Sequence, residues 1–402
     1  MAQNSHHKII IVGGGTAGIT MAARLARSGL ASDVAIIEPS DDHYYQPLWT
    51  LVGAGLFKLS DTRKNTKDYI PPGVTWIKDS VTAASGEKKS IALKSGQTVT
   101  CDWMIVASGV ELNWDGIKGA KEAMSAPNVS SIYSKDYVEK TFTMLGGVTS
   151  GNLLFVFPQP PVKCAGAPQK IMYLADEILR RNGVREACEI HYRSAPGLIF
   201  GVPVFAEVLS KVVKRKNIHT HFNQKIIEVR SAENKAIFAD TATGLLLPEV
   251  TYDYLHLVPP MKPHGFILAS DLCGTEGASV GWVDVDPFTL RHKRFPHVFS
   301  LGDVCSAPTA KTGAAIRMQA PVVVSQLLAA LKGTGSDAKY DGYASCPLVT
   351  GFGKVVLAEF GYDGKLMPTF PMNAAKESRL MWWLKTIILP RLYWNFMLRG
   401  RA

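Results

Sequence analysis

Apolar positions near the start of the chain come in short continuous blocks separated by glycine-rich or polar breaks. Residues 8–12 form an apolar run after their lysine, which reads as a strand buried on both faces, as in a parallel sheet. Gly13-Gly14-Gly15-Thr16-Ala17-Gly18 follows. Next comes a helical pattern with Ile19, Ala22, Ala23, Leu25 and Ala26 on one face, stopping at Gly29, a residue suited to the position just past a helix. Residues 34–37 give a second apolar strand, with Glu38 at its end.

The same block pattern recurs downstream. Residues 101–107 predict a strand ending in Ala107-Ser108-Gly109, and residues 153–157 open a second strand–helix unit. A helix is expected over 168–181, where Ile171, Met172, Leu174, Ala175, Ile178 and Leu179 recur at helical spacing. A strand at 189–192, a helix near 204–213 and a short strand at 298–301 running into Gly302-Asp303 complete the pattern. Beyond about residue 335 aromatics accumulate, helical periodicity fades, and the chain ends in an amphipathic stretch. The predicted fold is α/β: two interleaved Rossmann-like dinucleotide-binding domains plus a C-terminal appendage. The expected boundaries are 1–112 with 278–335, then 113–277, then 336–402.

Composition narrows the partners. The 402 residues suffice for two or three domains, 47% of them are hydrophobic, and 19% charged residues are too few for a disordered chain. No repeat or low-complexity run is present. A net charge of +10 points first to nucleic acid. Half of that excess, however, lies in the last 27 residues, where Lys376, Arg379, Lys385, Arg391, Arg399 and Arg401 face one acid, Glu377. This tail is also rich in Trp and Leu, a combination that suits a membrane surface better than a nucleic acid. The six cysteines (Cys101, Cys164, Cys188, Cys273, Cys305, Cys346) contain no CxxC, which argues against zinc, and no metal is expected. A secreted disulfide scaffold does not fit this length, while one distant redox-active pair stays open. The first strand begins too early to leave room for a signal or transit peptide, and no run of 18 or more uncharged apolar residues predicts a spanning helix.

Gly13-x-Gly15-x-x-Gly18, set between a strand and a helix, carries the first chemistry. Its glycines allow a tight turn, close approach of backbone to a pyrophosphate and close helix–strand packing. The helix start, with Thr16 and Ala17, offers free N–H groups to phosphate. Glu38, twenty residues after Gly18, is placed for ribose hydroxyls. Two later segments decide which dinucleotide. Residues 101–109 (Cys101-Asp102-Trp103-Met104-Ile105-Val106-Ala107-Ser108-Gly109) resemble the second flavin fingerprint of two-dinucleotide-domain flavoproteins, the pyridine nucleotide-disulfide oxidoreductase superfamily. Residues 295–303 (Phe295-Pro296-His297-Val298-Phe299-Ser300-Leu301-Gly302-Asp303) resemble the third. FAD is the expected cofactor, and the resemblance assigns Asp303 to the ribityl chain. The plainer alternative for Asp303 is a helix cap.

Such flavoproteins usually carry a second glycine cradle, for NADH. Here residues 158–166 read Pro158-Gln159-Pro160-Pro161-Val162-Lys163-Cys164-Ala165-Gly166, and prolines have no N–H to offer a pyrophosphate. The next strand ends His191-Tyr192-Arg193, without a ribose-binding acid. Arg193 alone, lacking the cradle, is a poor site for a 2′-phosphate. Cys164 stands there instead, beside Lys163 and just before a helix, both of which favour a thiolate; the alternative is a small core residue.

Val162-Lys163-Cys164-Ala165-Gly166-Ala167-Pro168-Gln169-Lys170 and Asp341-Gly342-Tyr343-Ala344-Ser345-Cys346-Pro347-Leu348-Val349-Thr350-Gly351 together resemble the sulfide:quinone oxidoreductases, most closely the type II branch that includes the mitochondrial enzymes. The resemblance covers nearly the whole chain. It implies that Cys164 and Cys346 face the flavin and cycle through a disulfide or polysulfide. It further implies that Glu38, Gln46, Val81, Asp303 and Lys311 contact FAD; Gly109 and Gly313 join Gly13, Gly15 and Gly18 in that expected set. Hydrosulfide would attack the disulfide, leaving a persulfide on Cys346, and Cys164 would attack or contact the flavin ring. Two electrons would pass to a membrane quinone, ubiquinone or menaquinone, and the outer sulfur to glutathione, sulfite or a second sulfide. Lys163 and Lys311 are candidate electrostatic aids, with solvated surface lysines as the alternative. His43, Tyr44, Tyr45 and Gln46 are expected to wall the flavin pocket.

The end of the chain bears on quinone access. Met381, Trp382, Trp383, Leu384, Ile387, Ile388, Leu389, Leu392, Tyr393, Trp394, Phe396, Met397 and Leu398 form an apolar, aromatic stretch that Pro390 is expected to break in two. It predicts peripheral membrane attachment; the alternative is a helix packed on the protein's own core. The early first strand points to the cytoplasmic side of a bacterial inner membrane, or to a mitochondrial inner membrane if a presequence has been removed. A type II NADH:quinone dehydrogenase-like flavoprotein and a flavin-binding module without turnover are the rival readings.

Overall fold

The apolar runs assemble into two largely parallel sheets in a computed structural model that describes residues 5–371 and 373–402. Residues 1–4, on which part of the leader reading rests, lie outside the described residues. Ser5–Val12 sits at the centre of the first sheet, between Val34–Ile37 and Thr98–Val106, parallel to both. Thr75–Ile77 extends one side in parallel, and Val298–Ser300 pairs in parallel with Thr98–Val106. Ser90–Leu93 and Val81–Ser85 add an antiparallel edge. Ile9, Ile10 and Ile11 are all fully buried, which explains why this strand lacks the usual polar alternation. Each such side chain contributes about 1.5–3 kcal/mol by burial.

Register positions the chemistry. Val12 lies opposite Ile37 on one side and Val106 on the other, and Val106 lies opposite Ser300. The carboxyl ends of four parallel strands are therefore level. Gly13, Glu38, Ala107 and Leu301, the residues that follow them, emerge side by side at the edge where open α/β sheets bind ligands.

The second sheet runs Val129–Ser130, Tyr254–His256, Gly151–Phe157, Cys188–Ser194, Ile218–His221, with every neighbouring pair parallel. A three-stranded antiparallel sheet, Gln224–Arg230, Lys235–Asp240 and Val250–Thr251, accompanies it. Helix Ala167–Arg181 follows Gly151–Phe157 and is buried along most of its length. Past residue 335 a hairpin, Ala344–Gly351 with Lys354–Phe360, pairs Cys346 with Ala358.

Two apolar segments differ from what run length and the proline rule suggest. Helix Gly313–Leu331, which the apolar-run count passes over because Arg317 interrupts it, is long and apolar enough to cross a membrane by length and composition. It is tied into the first domain: Gln319 accepts a hydrogen bond from the Gly302 N–H at 2.9 Å, and its face, including Ile316, Ala320 and Val323, is buried. Pro390, in turn, does not break the C-terminal stretch. Arg379–Trp383, Leu384–Ile388 and Leu389–Asn395 are consecutive turns of one helix, and the middle one is widened to a π turn, with the Leu389 N–H donating to the Leu384 carbonyl. A wide turn just before a proline relieves the clash of its ring with the preceding turn. Arg391 Nη1 donates to the Ile387 carbonyl at 3.2 Å.

Candidate active site

The glycine loop is a backbone-only cradle. Gly13 has φ +100°, and a Cβ there would lie 2.7 Å from the Ala107 carbonyl oxygen. A Cβ on Gly18 would lie 1.8 Å from the Gly13 carbonyl oxygen, so the helix can start this close only with glycine. Gly15, by contrast, faces open space. Helix Thr16–Leu25 has no side-chain cap at its start, which leaves its first N–H groups free for an anion. Glu38 takes the Gly14 N–H at 2.7 Å and the Ser40 N–H at 2.8 Å; burial pushes its carboxyl up, and these two bonds oppose the rise. These residues fit the pyrophosphate and ribose of FAD: an uncapped helix start, an open face at Gly15 and a fixed carboxylate.

The third fingerprint closes on the same place. Gly302 has φ +76°, and Asp303 sits in a short turn that it does not cap. The cap that exists belongs to Thr312, whose hydroxyl accepts from the Ala315 N–H at 3.2 Å at the start of the helix that begins with Gly313. Asp303 is therefore no helix cap, and burial raises its carboxyl pKa against the opposing charges of Lys311 and Lys163. Lys311 Nζ donates to the Asp303 carbonyl at 2.5 Å and the Cys305 carbonyl at 3.3 Å, and lies 4.0 Å from the Trp282 ring centroid. It is a fixed residue and not a solvated one. Gly109 has φ +70° in the turn after Thr98–Val106. Gln46 begins an exposed turn and Val81 opens the edge strand; among the described residues no hydrogen bond joins either to the glycine loop.

Cys164 and Cys346, 182 positions apart in the chain, come together as free thiols in hydrogen-bond contact. Cys164 has φ +49°, unusual for a residue with a side chain. Surrounding bonds hold it there: its N–H donates to the Lys311 carbonyl at 2.9 Å, and its carbonyl accepts from Tyr133 Oη at 3.0 Å and the Ala167 N–H at 2.8 Å. A Cβ on Gly166 would lie 2.8 Å from Cys346 Sγ, so glycine lets the hairpin reach the cysteine loop. Cys346 is buried while Cys164 keeps an exposed edge.

The charge around the pair is asymmetric. Lys170 Nζ donates to Cys164 Sγ at 3.3 Å and is only 2% exposed. The hydrogen bond from Cys346 lowers the Cys164 pKa well below the usual thiol range; burial opposes this, and the charges of Lys170 and Lys385 add to it. Cys346 moves the other way, raised by donating to Cys164 and by burial. Burial disfavours the Lys170 ammonium, yet the two sulfurs outweigh it and hold Lys170 protonated. Lys385, also buried, donates to the Pro47 carbonyl at 3.1 Å; burial and then the Lys170 charge bring its pKa down to about 7.

The lysine that touches the thiolate is thus not Lys163, as adjacency implied. Lys163 Nζ lies 5.8 Å from the Trp49 ring centroid, and burial lowers its pKa. Lys170 sits in the first turns of helix Ala167–Arg181, where the chain turning at Cys164 brings it back over the sulfur. Lys385 was counted only as tail charge. Its partners are far away in sequence, and the one available signal was a lone lysine on the apolar stripe of an amphipathic helix. His43 and Tyr45 are buried against Tyr393 and Trp394, with Tyr45 and Tyr393 ring centroids 4.5 Å apart, so the C-terminal helix covers these expected pocket walls. Arg193 is engaged by Gln224 and lies 5.1 Å from the Phe238 ring centroid.

The chain has clear relatives among known proteins. Residues 7–152 match the family model described as "Pyridine nucleotide-disulphide oxidoreductase". The chain is 41% identical over 396 residues to the "Sulfide:quinone oxidoreductase, mitochondrial" of Mus musculus, covering 98% of this chain and 87% of that protein. It is 42% identical to the protein of the same name from Dictyostelium discoideum, covering 98% and 86%. The solved sulfide:quinone oxidoreductase of Aquifex aeolicus superposes with a TM-score of 0.81 at 17% identity, covering 98% of this chain and 92% of that one, a likeness of fold.

Proposed function

The chain belongs to the sulfide:quinone oxidoreductase family, and from that premise we propose that Cys164 and Cys346 are the redox-active pair through which it oxidises sulfide. It is an FAD-dependent oxidoreductase, with sulfide as substrate and a quinone as electron acceptor. The observation that carries the proposal for the site is the asymmetric thiol pair, bonded to Lys170 and standing where a nicotinamide cradle would otherwise be.

In the oxidised enzyme the two sulfurs share a disulfide. Hydrosulfide attacks the sulfur whose partner is the better leaving group, and a lower thiol pKa makes a better one. Lys170 stabilises the departing Cys164 thiolate, so attack falls on Cys346. The S–S bond to Cys164 breaks, a new S–S bond forms, and Cys346 carries the persulfide. A nucleophile such as glutathione, sulfite or a second hydrosulfide removes the outer sulfur, leaving both cysteines reduced. Re-forming the disulfide releases two electrons and two protons. FAD, when bound, would supply the two-electron redox chemistry that links this step to a quinone. Gly13, Gly15, Thr16, Ala17 and Gly18 would hold its pyrophosphate and Glu38 its ribose, with Gln46, Val81, Gly109, Asp303, Lys311 and Gly313 completing the site. Lys385, poised near neutrality, is a proton carrier beside the sulfurs.

The quinone comes from a membrane, and the C-terminal helix is the proposed attachment. Its stripe of Leu380, Trp383, Ile387 and Ile388, with Phe396, is exposed (45–62%), flanked by Arg379, Arg391 and Arg399. The opposite face packs on the protein, so packing and membrane contact coexist in one helix. The two curated relatives are mitochondrial by name, which fits a mitochondrial membrane; the bacterial inner membrane gains no support from them. The division at 1–112 with 278–335, 113–277 and 336–402 remains part of the proposal.

The deciding experiment is anaerobic. Sulfide added to the yellow wild-type protein should bleach its flavin absorbance, and Cys164→Ser or Cys346→Ser should stay yellow and unbleached. Bleaching retained in either variant refutes the thiol-pair mechanism. Rapid NADH oxidation would instead favour the NADH dehydrogenase-like rival.

A further inference from the structure

We propose that Tyr393, on the C-terminal helix, is a positioning residue for the FAD phosphate loop, so that cofactor binding and docking of that helix are coupled. The proposal rests on the FAD assignment and goes beyond it. Tyr393 is 4% exposed, and its hydroxyl meets two partners: Thr16 Oγ1 at 2.8 Å and His43 Nε2 at 2.5 Å. One phenol thereby ties Thr16, in the Gly13–Gly18 cradle, and His43 to a segment nearly 380 positions from Thr16.

Neighbouring contacts make the docking cooperative. Trp394 packs on Tyr69 at 5.1 Å and on His43 at 5.7 Å between ring centroids, and the Arg399 guanidinium lies 4.7 Å from the Tyr69 ring centroid. A Cβ on Gly400 would lie 2.8 Å from the backbone of Ala23 and Arg24 in the phosphate helix, and Arg24 hydrogen-bonds the Ala402 carbonyl. A loop fixed by its ligand presents Thr16 in one arrangement to this surface. By linkage, whatever FAD contributes to docking the helix, the docked helix returns to FAD affinity.

The test uses the full chain, stripped of FAD and titrated with FAD by flavin fluorescence, together with hydrogen exchange of residues 379–402. Tyr393→Phe should bind FAD about 5- to 10-fold more weakly. Trp383→Ser, on the exposed face of the same helix, should keep the wild-type Kd. In the wild-type protein FAD should slow exchange across 379–402, a readout independent of whether the variant folds. Wild-type affinity in Tyr393→Phe, an equal loss in Trp383→Ser, or exchange indifferent to FAD each overturns the proposal. A wild-type apoprotein that takes up no FAD overturns the cofactor assignment along with it.

Discussion

Replacing Lys170 by Met tests the asymmetry on which the regiochemistry of sulfide attack depends. Its ammonium lies 3.3 Å from Cys164 Sγ and is almost wholly removed from water. Breaking a buried charge pair by deleting one partner costs about 3–5 kcal/mol. The chain avoids most of that cost by protonating Cys164, so the variant should fold, stay yellow and lose its resting thiolate. If about half of about 4 kcal/mol is felt when Cys164 departs, the barrier rises by about 2 kcal/mol and sulfide attack slows roughly 30-fold. Stopped-flow bleaching of the flavin by sulfide measures the rate, and ultraviolet thiolate absorbance of the reduced enzyme measures the ionisation. In the wild type the Cys346 hydrogen bond, and then the charges of Lys170 and Lys385, favour the thiolate. Without the Lys170 cation its onset should move to higher pH, and Lys170→Arg should recover part of both signals. A wild-type bleaching rate with unchanged thiolate absorbance in Lys170→Met would falsify the leaving-group argument.

Three further outcomes follow from other parts of the structure. Gly18→Ala puts a methyl 1.8 Å from the Gly13 carbonyl oxygen, so the purified variant should be colourless with its fold otherwise retained by circular dichroism; a yellow variant would show that the cradle tolerates a side chain. His43 is held neutral by burial, its pKa lowered from 6.5 to about 4, so between those values the unfolded chain binds the proton that the folded chain refuses. Stability from this residue is complete above about pH 6.5 and declines by up to about 3 kcal/mol as pH falls toward 4. Melting temperature against pH should therefore be shallower for His43→Gln than for wild type, and parallel curves would refute the assignment. Trp383→Ser combined with Ile387→Ser removes two exposed anchors and should lower binding to quinone-containing anionic liposomes severalfold at unchanged solution activity with a water-soluble quinone; unaltered liposome binding counts against the membrane face.

What was legible in the sequence had local causes. The strand–turn–helix around Gly13–Gly18 depends on residues adjacent in the chain, and residues 34–37 match a strand of the structure end for end. The helix expected over 168–181 starts one residue earlier, at Ala167. Less legible was anything decided by register or by distant packing. Hairpin Ala344–Gly351 and Lys354–Phe360 has no readable strand pattern because both strands are mostly buried and lack a polar alternation. Helix Gly313–Leu331 is hidden for a related reason: it is apolar nearly all round, so periodicity gives no stripe to read. Pro390 misled because a proline rule applied to the sequence cannot see a π turn forming one residue before it.

The largest revision concerns the end of the chain, read from the sequence as an appendage to two finished domains. It supplies Cys346 to a thiol pair whose other member follows a strand of the second sheet. Lys385, from the same region, adds to the positive charge at that pair, and Tyr393 bonds the phosphate loop of the first domain. Cys346 is marked by the motif at 341–351, whereas Lys385 and Tyr393 have no local motif that assigns either a task, because each acts on residues more than 200 positions away. A two-domain flavoprotein without this segment would keep the cradle and lose Cys346, Lys385 and the exposed apolar face together. Under the proposed mechanism that stretch completes the thiol pair begun by Cys164 and supplies the exposed apolar face. The same segment exposes an apolar face on one side and packs toward the sulfurs and the phosphate loop on the other.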